Sequence, residues 1–188
     1  MVDVDSKSGG VAQLVRAPAC HAGGRGFKSR RSRHFLVFYP MYVKEIMDDI
    51  IHRAESLCSN EVPVFAAIAY KDKIISISGN QVESSNCSWF HAEFVVVNKA
   101  TDLLNTRYLD EYSLYVTLEP CAFCAAILEK VRIKNIFFGA YDPKFGAIFH
   151  NSNLFSHSLI KPNIIGGIQE ERCSKILKNF FQNLRKNK

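Results

Sequence analysis

No apolar run in this chain approaches the ~18 residues needed to cross a bilayer, so no segment reads as a membrane span and a soluble, cytoplasmic protein is expected. Cysteine is sparse: six in 188 residues, too few for a small disulfide-stapled scaffold. The one close pair, Cys121 and Cys124, reads as metal or redox chemistry in a reducing compartment. Acids are missing from two stretches, Gly9 to His34 and everything after Glu171. This localises the net charge of +6. Residues 1–40 hold seven Lys or Arg against two Asp, whereas the remainder holds 17 basic against 16 acidic residues. The body is therefore nearly neutral, and its overall charge is no argument for nucleic-acid binding. No repeats or linkers follow residue 40. Apolar residues, 47% of the chain, exclude a disordered protein and suffice for one domain with a real core.

The first forty residues stand apart. Gly9 to His34 has neither helical nor strand periodicity and is rich in Gly, Arg and Ser. A transit peptide and a basic arm are two readings. A third rests on Val11 to Ala17 and Gly26 to Ser29, which resemble translations of the D-arm and T-arm strings of a tRNA gene. On that reading residues 1–40 are a mis-annotated or disordered leader, the true start is Met41, and the domain is 41–188.

From Met41 the pattern is regular. Val43, Ile46, Met47, Ile50, Ile51, Ala54 and Leu57 fall at helical spacing. Val62 to Tyr70 and Ile74 to Ser78 are β-prone runs joined by Lys71-Asp72-Lys73, a hairpin signal. A polar loop from Gln81 to Ser88 leads to a helix from about His91 to Leu104. Tyr112 to Leu118 reads as a strand and Cys121 to Val131 as a helix opened by Pro120. Ile136 to Gly139 is a strand, Asp142 to Ser158 a long loop, Asn163 to Ile168 a last strand, and Glu170 to Leu184 a C-terminal helix. Alternating strands and helices predict an α/β fold with helices on both faces of one sheet.

Two short segments carry chemistry: His91-Ala92-Glu93 and Pro120-Cys121-Ala122-Phe123-Cys124. Alone each is weak; His-x-Glu arises by chance, and Cys-x-x-Cys serves redox sites or plain packing. Together, each at a predicted helix start, they match the signature of zinc deaminases. Cys121 and Cys124, three apart, face one side of a first helical turn, where the helix dipole favours thiolates. His91 adds a neutral third ligand, leaving a fourth tetrahedral position for water. Glu93, two residues from a ligand, is the group to take the water's proton and deliver it onward. The rival is a closed structural site with Cys87, four residues before His91, as fourth ligand. That arrangement leaves Glu93 without a task.

Further stretches support a wider resemblance: Glu61-Val62-Pro63-Val64, Leu114 to Cys121, and Phe138-Gly139-Ala140 followed by Asp142, Lys144, Gly146 and Ala147. Asn80, eleven residues before His91, and Phe180-Phe181 on the last helix add to it. From Met41 onward the chain resembles the tRNA-specific adenosine deaminases of the cytidine deaminase-like superfamily. The resemblance implies a three-layer α/β/α sandwich with a mixed, about five-stranded sheet, a homodimer, one Zn2+ per chain held by His91, Cys121 and Cys124, and Glu93 as catalytic group. It also implies substrate contacts at Asn80, Val62, Ala92, Asp142 and Lys144. The expected reaction converts the wobble adenosine of a tRNA anticodon to inosine, on a base splayed from a single-stranded loop.

Three residues depart from the family pattern: Phe65, where the family has Gly, and Trp89-Phe90 directly before His91. The two before His91 read either as core packing or as a reshaped pocket rim. Asp142 and Lys144 read as an ordinary turn or as RNA contacts. Arg172, Lys175, Lys178, Arg185, Lys186 and Lys188 form either a solvated helix face or a phosphate-contacting tail. His52 reads as a surface residue, His150 and His157 as loop residues, and Cys58 and Cys173 as packing residues. Two other functions use the same residues. One is a deaminase of a free base or nucleoside such as guanine, cytosine or cytidine; the other is a non-catalytic, zinc-folded scaffold, against which an intact Glu93 argues.

Overall fold

The computed structural model describes residues 40–57, 60–149, 154–158 and 160–186. The expected leader lies outside the described residues apart from Pro40, as do Cys58, His150 and the side chain of His157. In chain order the elements are α1 (Met41–Glu55), β1 (Phe65–Tyr70), β2 (Lys73–Gly79), α2 (Ala92–Leu104), β3 (Ser113–Leu118), α3 (Ala122–Lys130), β4 (Asn135–Ala140), a 3-10 turn (Leu154–His157), β5 (Asn163–Ile165) and α4 (Glu170–Lys186). The five strands form one sheet in the order β2-β1-β3-β4-β5. β1 runs antiparallel to β2 and β3, while β3, β4 and β5 are mutually parallel. A tight turn through Lys71, at φ 53°, suffices for the antiparallel pair. The parallel pairs require crossovers, supplied by α3 between β3 and β4 and by the 141–162 segment between β4 and β5.

Side chains alternate faces along each strand, and this builds two cores. Ala66, Ile68, Leu114, Val116, Ile136 and Phe138 pack with Val96 and Ala100 of α2 and Ala125 and Leu128 of α3. On the other face Ala67, Ala69, Tyr115 and Phe137 pack with Val43, Met47, Ile50 and Ile51 of α1 and Cys173 of α4. The result is the expected three-layer sandwich with a mixed five-stranded sheet. Cys173 is the packing residue it reads as: a Cβ at Gly139 would stand 2.3 Å from its Sγ, so α4 seats on β4 only over glycine. Among the described residues no helix is long and apolar enough to cross a membrane.

Two boundaries differ from expectation, both for backbone reasons. Val62 to Val64 is not strand: Pro63 offers no N–H, and the Val64 N–H turns back to the Val62 carbonyl at 2.7 Å. The last strand stops at Ile165 rather than Ile168 because Gly166-Gly167 follows, with Gly167 at φ +81°.

Candidate active site

One edge of the molecule gathers the carboxyl ends of the parallel strands β3 and β4, the segment entering β1, and the end of β2. This is where the antiparallel part of the sheet meets the parallel part. Crevices beyond the carboxyl ends of parallel strands are where α/β proteins bind ligands. An open cavity of about 850 Å³ lies there, with His91, Glu93 and Cys121 on its wall.

His91 and Cys121 are the N-cap residues of α2 and α3, each with extended backbone (ψ 153° and 172°) before the helix turns. Two helix N-termini thus converge on one point, and their partial positive charge favours thiolates and carboxylates there. His91 Nδ1 lies 3.7 Å from Cys121 Sγ and 3.6 Å from Cys124 Sγ. The ligand atoms of these three residues all lie within 4.8 Å of one another. Cys87 does not join this group among the described residues, which removes the fourth ligand that a closed site needs.

Hydrogen bonding from Cys124, against the cost of burial and with help from His91, pulls the Cys121 thiol down to about 4. Cys124, which shares its proton with Cys121 and is itself buried, is pushed the other way. The bond to Cys121 raises His91. Glu93, buried in the first turn of α2, is raised to about 7, chiefly by burial; its own backbone N–H pulls it back, the charge of Cys121 adds to the rise and His91 opposes it. Two sulfurs and an imidazole at this spacing could serve as the donor set of a tetrahedral site with a position left over. A buried carboxyl poised near neutrality beside them suits proton transfer.

Asn80 Oδ1 accepts the backbone N–H of Ala92 at 2.8 Å. A backbone N–H only donates, so this bond fixes the amide's orientation. The Nδ2 group is left as a donor on a residue that lines the cavity. Val62, Asp142 and Lys144 line the cavity as well. Ala92 does not: its side chain is fully buried in the core, and its N–H serves to aim Asn80. The Asp142 carboxylate is engaged by its own loop, accepting the N–H groups of Lys144 and Phe145 at 2.9 and 3.1 Å, as in an ordinary turn. Lys178 and Phe181, named from sequence in the basic tail and the aromatic pair, line the cavity too, and so do Glu119, Tyr141 and Phe145, to which the sequence reading assigned no role. Glu119 carried a sequence signal, a carboxylate directly after the apolar strand β3 and two residues before Cys121.

A family model described as MafB19-like deaminase matches residues 42–185. The tRNA-specific adenosine deaminase of Rickettsia typhi is 42% identical over 130 residues, which cover 67% of this chain and 88% of the relative. The chain belongs to the tRNA-specific adenosine deaminase family. A solved structure from work on A-to-I editing by tRNA:A34 deaminases superposes with a TM-score of 0.68 at 34% identity, covering 71% of this chain and 99% of the other. A guanine deaminase from Nitrosomonas europaea superposes with a TM-score of 0.59 at 19% identity, covering 74% of this chain and 80% of the other, a likeness of fold alone.

The departures of this deaminase from the family pattern fall outside the cavity lining. Phe65 packs on the α1 face, its ring against the Gly79 backbone. Trp89, 53% exposed, meets Phe90 edge-on, and Phe90 leads through Phe94 to Phe123, forming an aromatic row beside the His91 ring. The basic tail is also not uniform. Arg172 bonds Asp48 at 3.1 Å and Glu55 at 2.6 Å, with His52 at 3.1 Å, so this deaminase uses it to tie α4 to α1. Of the remaining tail residues, Lys178 lines the cavity that holds His91 and Glu93 and Lys175 a separate groove between α1 and α4. Phe180 and Phe181 divide in the same way.

Proposed function

We propose that this deaminase converts the adenosine at the wobble position of a tRNA anticodon to inosine, with a zinc ion held by His91, Cys121 and Cys124. The observation that carries the reading is one cavity whose floor holds Glu93 beside the His/Cys/Cys group and whose rim holds Lys144, Lys178, Phe145 and Phe181. Zinc bound by three protein ligands supplies a Lewis acid that makes water far more acidic than in bulk.

Glu93 takes the proton of the attacking water as its oxygen bonds to C6 of adenine. It delivers that proton to N1 of the ring and then carries a proton to the departing amino group. Water and adenosine thus give inosine and ammonia. A carboxyl held up to about 7 both accepts and returns a proton near neutral pH. The Nδ2 donor of Asn80 holds a ring acceptor of the base and so keeps C6 turned toward Glu93. The rim suits single-stranded RNA: aromatic rings stack splayed bases and cations meet phosphates. Phe145 and Phe181, 60% and 43% exposed, stand ready to stack. A free-base deaminase uses the same floor and gives this rim no task. The proposal extends to a domain spanning 41–188, a homodimer and a cytoplasmic location, where Cys121 and Cys124 stay reduced.

The test is incubation of the purified chain with an anticodon stem-loop carrying a wobble adenosine, reading inosine, with free adenine, guanine and cytosine in parallel. Inosine in the stem-loop alone is expected. Efficient turnover of a free base with none of the RNA overturns the reading.

A further inference from the structure

We propose that Glu119 is a positioning residue: its buried carboxylate pins the cavity's rim loop to the turn that carries Cys121, and so sets affinity for RNA without entering the chemistry. The inference rests on reading the cavity as an RNA deaminase site.

Glu119 is 2% exposed, directly after β3 and two residues before Cys121. Its Oε1 accepts the backbone N–H groups of Ile148 and Phe149 at 3.1 and 2.8 Å, and its Oε2 accepts that of Asp142 at 3.1 Å. One side chain thus holds both ends of the loop 142–149. The same short segment adds backbone ties: the Ala147 N–H donates to the Pro120 carbonyl at 3.0 Å, and Cys121 bridges Gly146 in antiparallel fashion. The fit is close enough to demand glycine. A Cβ at Gly146 would stand 2.4 Å from Glu119 Cδ and 2.5 Å from the Asp142 carbonyl oxygen.

What the carboxylate holds is the rim. Asp142, fixed through its N–H, in turn organises Lys144 and Phe145 by accepting both their N–H groups. Lys144 Nζ rests 4.8 Å from the centre of the Phe145 ring. Cation and ring are thereby presented together at the cavity mouth. Three backbone donors converging on two carboxylate oxygens need a side chain that only accepts. A glutamine keeps one acceptor for Ile148 and Phe149 but turns an NH2 toward the Asp142 N–H, so the rim end of the loop should release first.

The experiment compares wild-type protein with Glu119→Gln, Glu119→Asp and Gly146→Ala, each purified as the full chain in zinc-supplemented buffer. It reads zinc content, amide hydrogen exchange, affinity for the anticodon stem-loop, and kcat and KM separately. In Glu119→Gln, faster exchange at 142–146, unchanged zinc and stem-loop affinity weaker by roughly tenfold are expected, with KM rising and kcat within about twofold, the pattern of lost uniform binding. Glu119→Asp, which keeps an acceptor-only side chain, should recover part of the affinity. Gly146→Ala pushes the same loop away with the carboxylate intact and should weaken RNA binding likewise, which keeps the idea testable if Glu119→Gln does not fold. Unchanged exchange and affinity overturn the proposal. So does loss of zinc and kcat with affinity intact, because that places Glu119 in service of the metal turn. If the wild type binds the stem-loop without deaminating it, the functional reading fails, while exchange and affinity still decide the role of Glu119.

Discussion

His91 Nδ1 stands 3.7 Å from Cys121 Sγ although 30 positions separate them in the chain. Both residues cap helices, so the contact is made where the N-termini of α2 and α3 converge. With Cys124 they form a group of three donors that Cys87 does not join. One zinc per chain is therefore expected by elemental analysis. Cys124→Ala and His91→Ala should each abolish binding, and Cys87→Ser should leave the stoichiometry untouched. Because metal binds the folded chain far better than the unfolded one, chelation should lower the melting temperature. Zinc loss in Cys87→Ser would show a closed structural site.

Glu93→Gln should keep fold and zinc and lose about 10²–10⁴-fold in kcat, the usual contribution of a general acid–base group. Glu93 is buried beside the ligand group, and the other buried acid of the cavity, Glu119, has its oxygens engaged by the backbone N–H groups of Asp142, Ile148 and Phe149. Zinc content and circular dichroism at wild-type values, with turnover collapsed, is the expected combination. Near-normal turnover moves proton transfer to another residue.

The fold was legible because burial sets period: the apolar stripe of α1 and the alternation in β1 and β3 each follow from a face turned to a core. The ligands were legible because a three-residue spacing at a helix start is local geometry. The rim was not. Phe145, Lys178 and Phe181 meet at the cavity only because α4 packs back across β4, and no local spacing encodes that. In sequence, Arg172 stays open between a solvated face and a phosphate contact for the same reason. Its place in a basic run allows either, while its partners Asp48 and Glu55 sit more than a hundred residues earlier.

That ion pair gives stability a pH dependence. Hydrogen bonding from Arg172, against a smaller cost of burial, holds the Glu55 carboxyl below its ordinary 4.5. A depressed carboxyl stabilises the fold at pH values above its unfolded pKa, and the contribution is lost as pH falls through the folded one. Both partners are partly solvated, so the pair is worth no more than about 1 kcal/mol. Arg172→Gln should lower the melting temperature at pH 7 by roughly 2–4 °C and flatten its fall as the solution is acidified below about pH 4.5. Activity should be unchanged. If RNA affinity falls instead while the melting curve stays put, Arg172 serves substrate and not the fold.

Substrate class is best read from salt. The body of the chain is nearly neutral, so RNA affinity must draw on a few placed cations, and Lys144 and Lys178 are the two at the cavity. Each phosphate contact to a single strand contributes about 0.7 to the log–log salt slope. Lys144→Gln and Lys178→Gln should each weaken stem-loop binding and flatten that slope by up to this amount, with zinc and saturated turnover retained. Lys175→Gln is the control, since Lys175 borders the α1–α4 groove; it should leave the slope nearer the wild-type value. Arg172→Gln should also leave it unchanged, because its guanidinium is already held by two carboxylates. A free-base deaminase predicts the opposite pattern: neither rim lysine affects turnover, because a neutral base offers no phosphate to hold. Slopes unchanged in both rim variants, together with efficient deamination of a free base, would therefore assign this cavity to a small-molecule substrate.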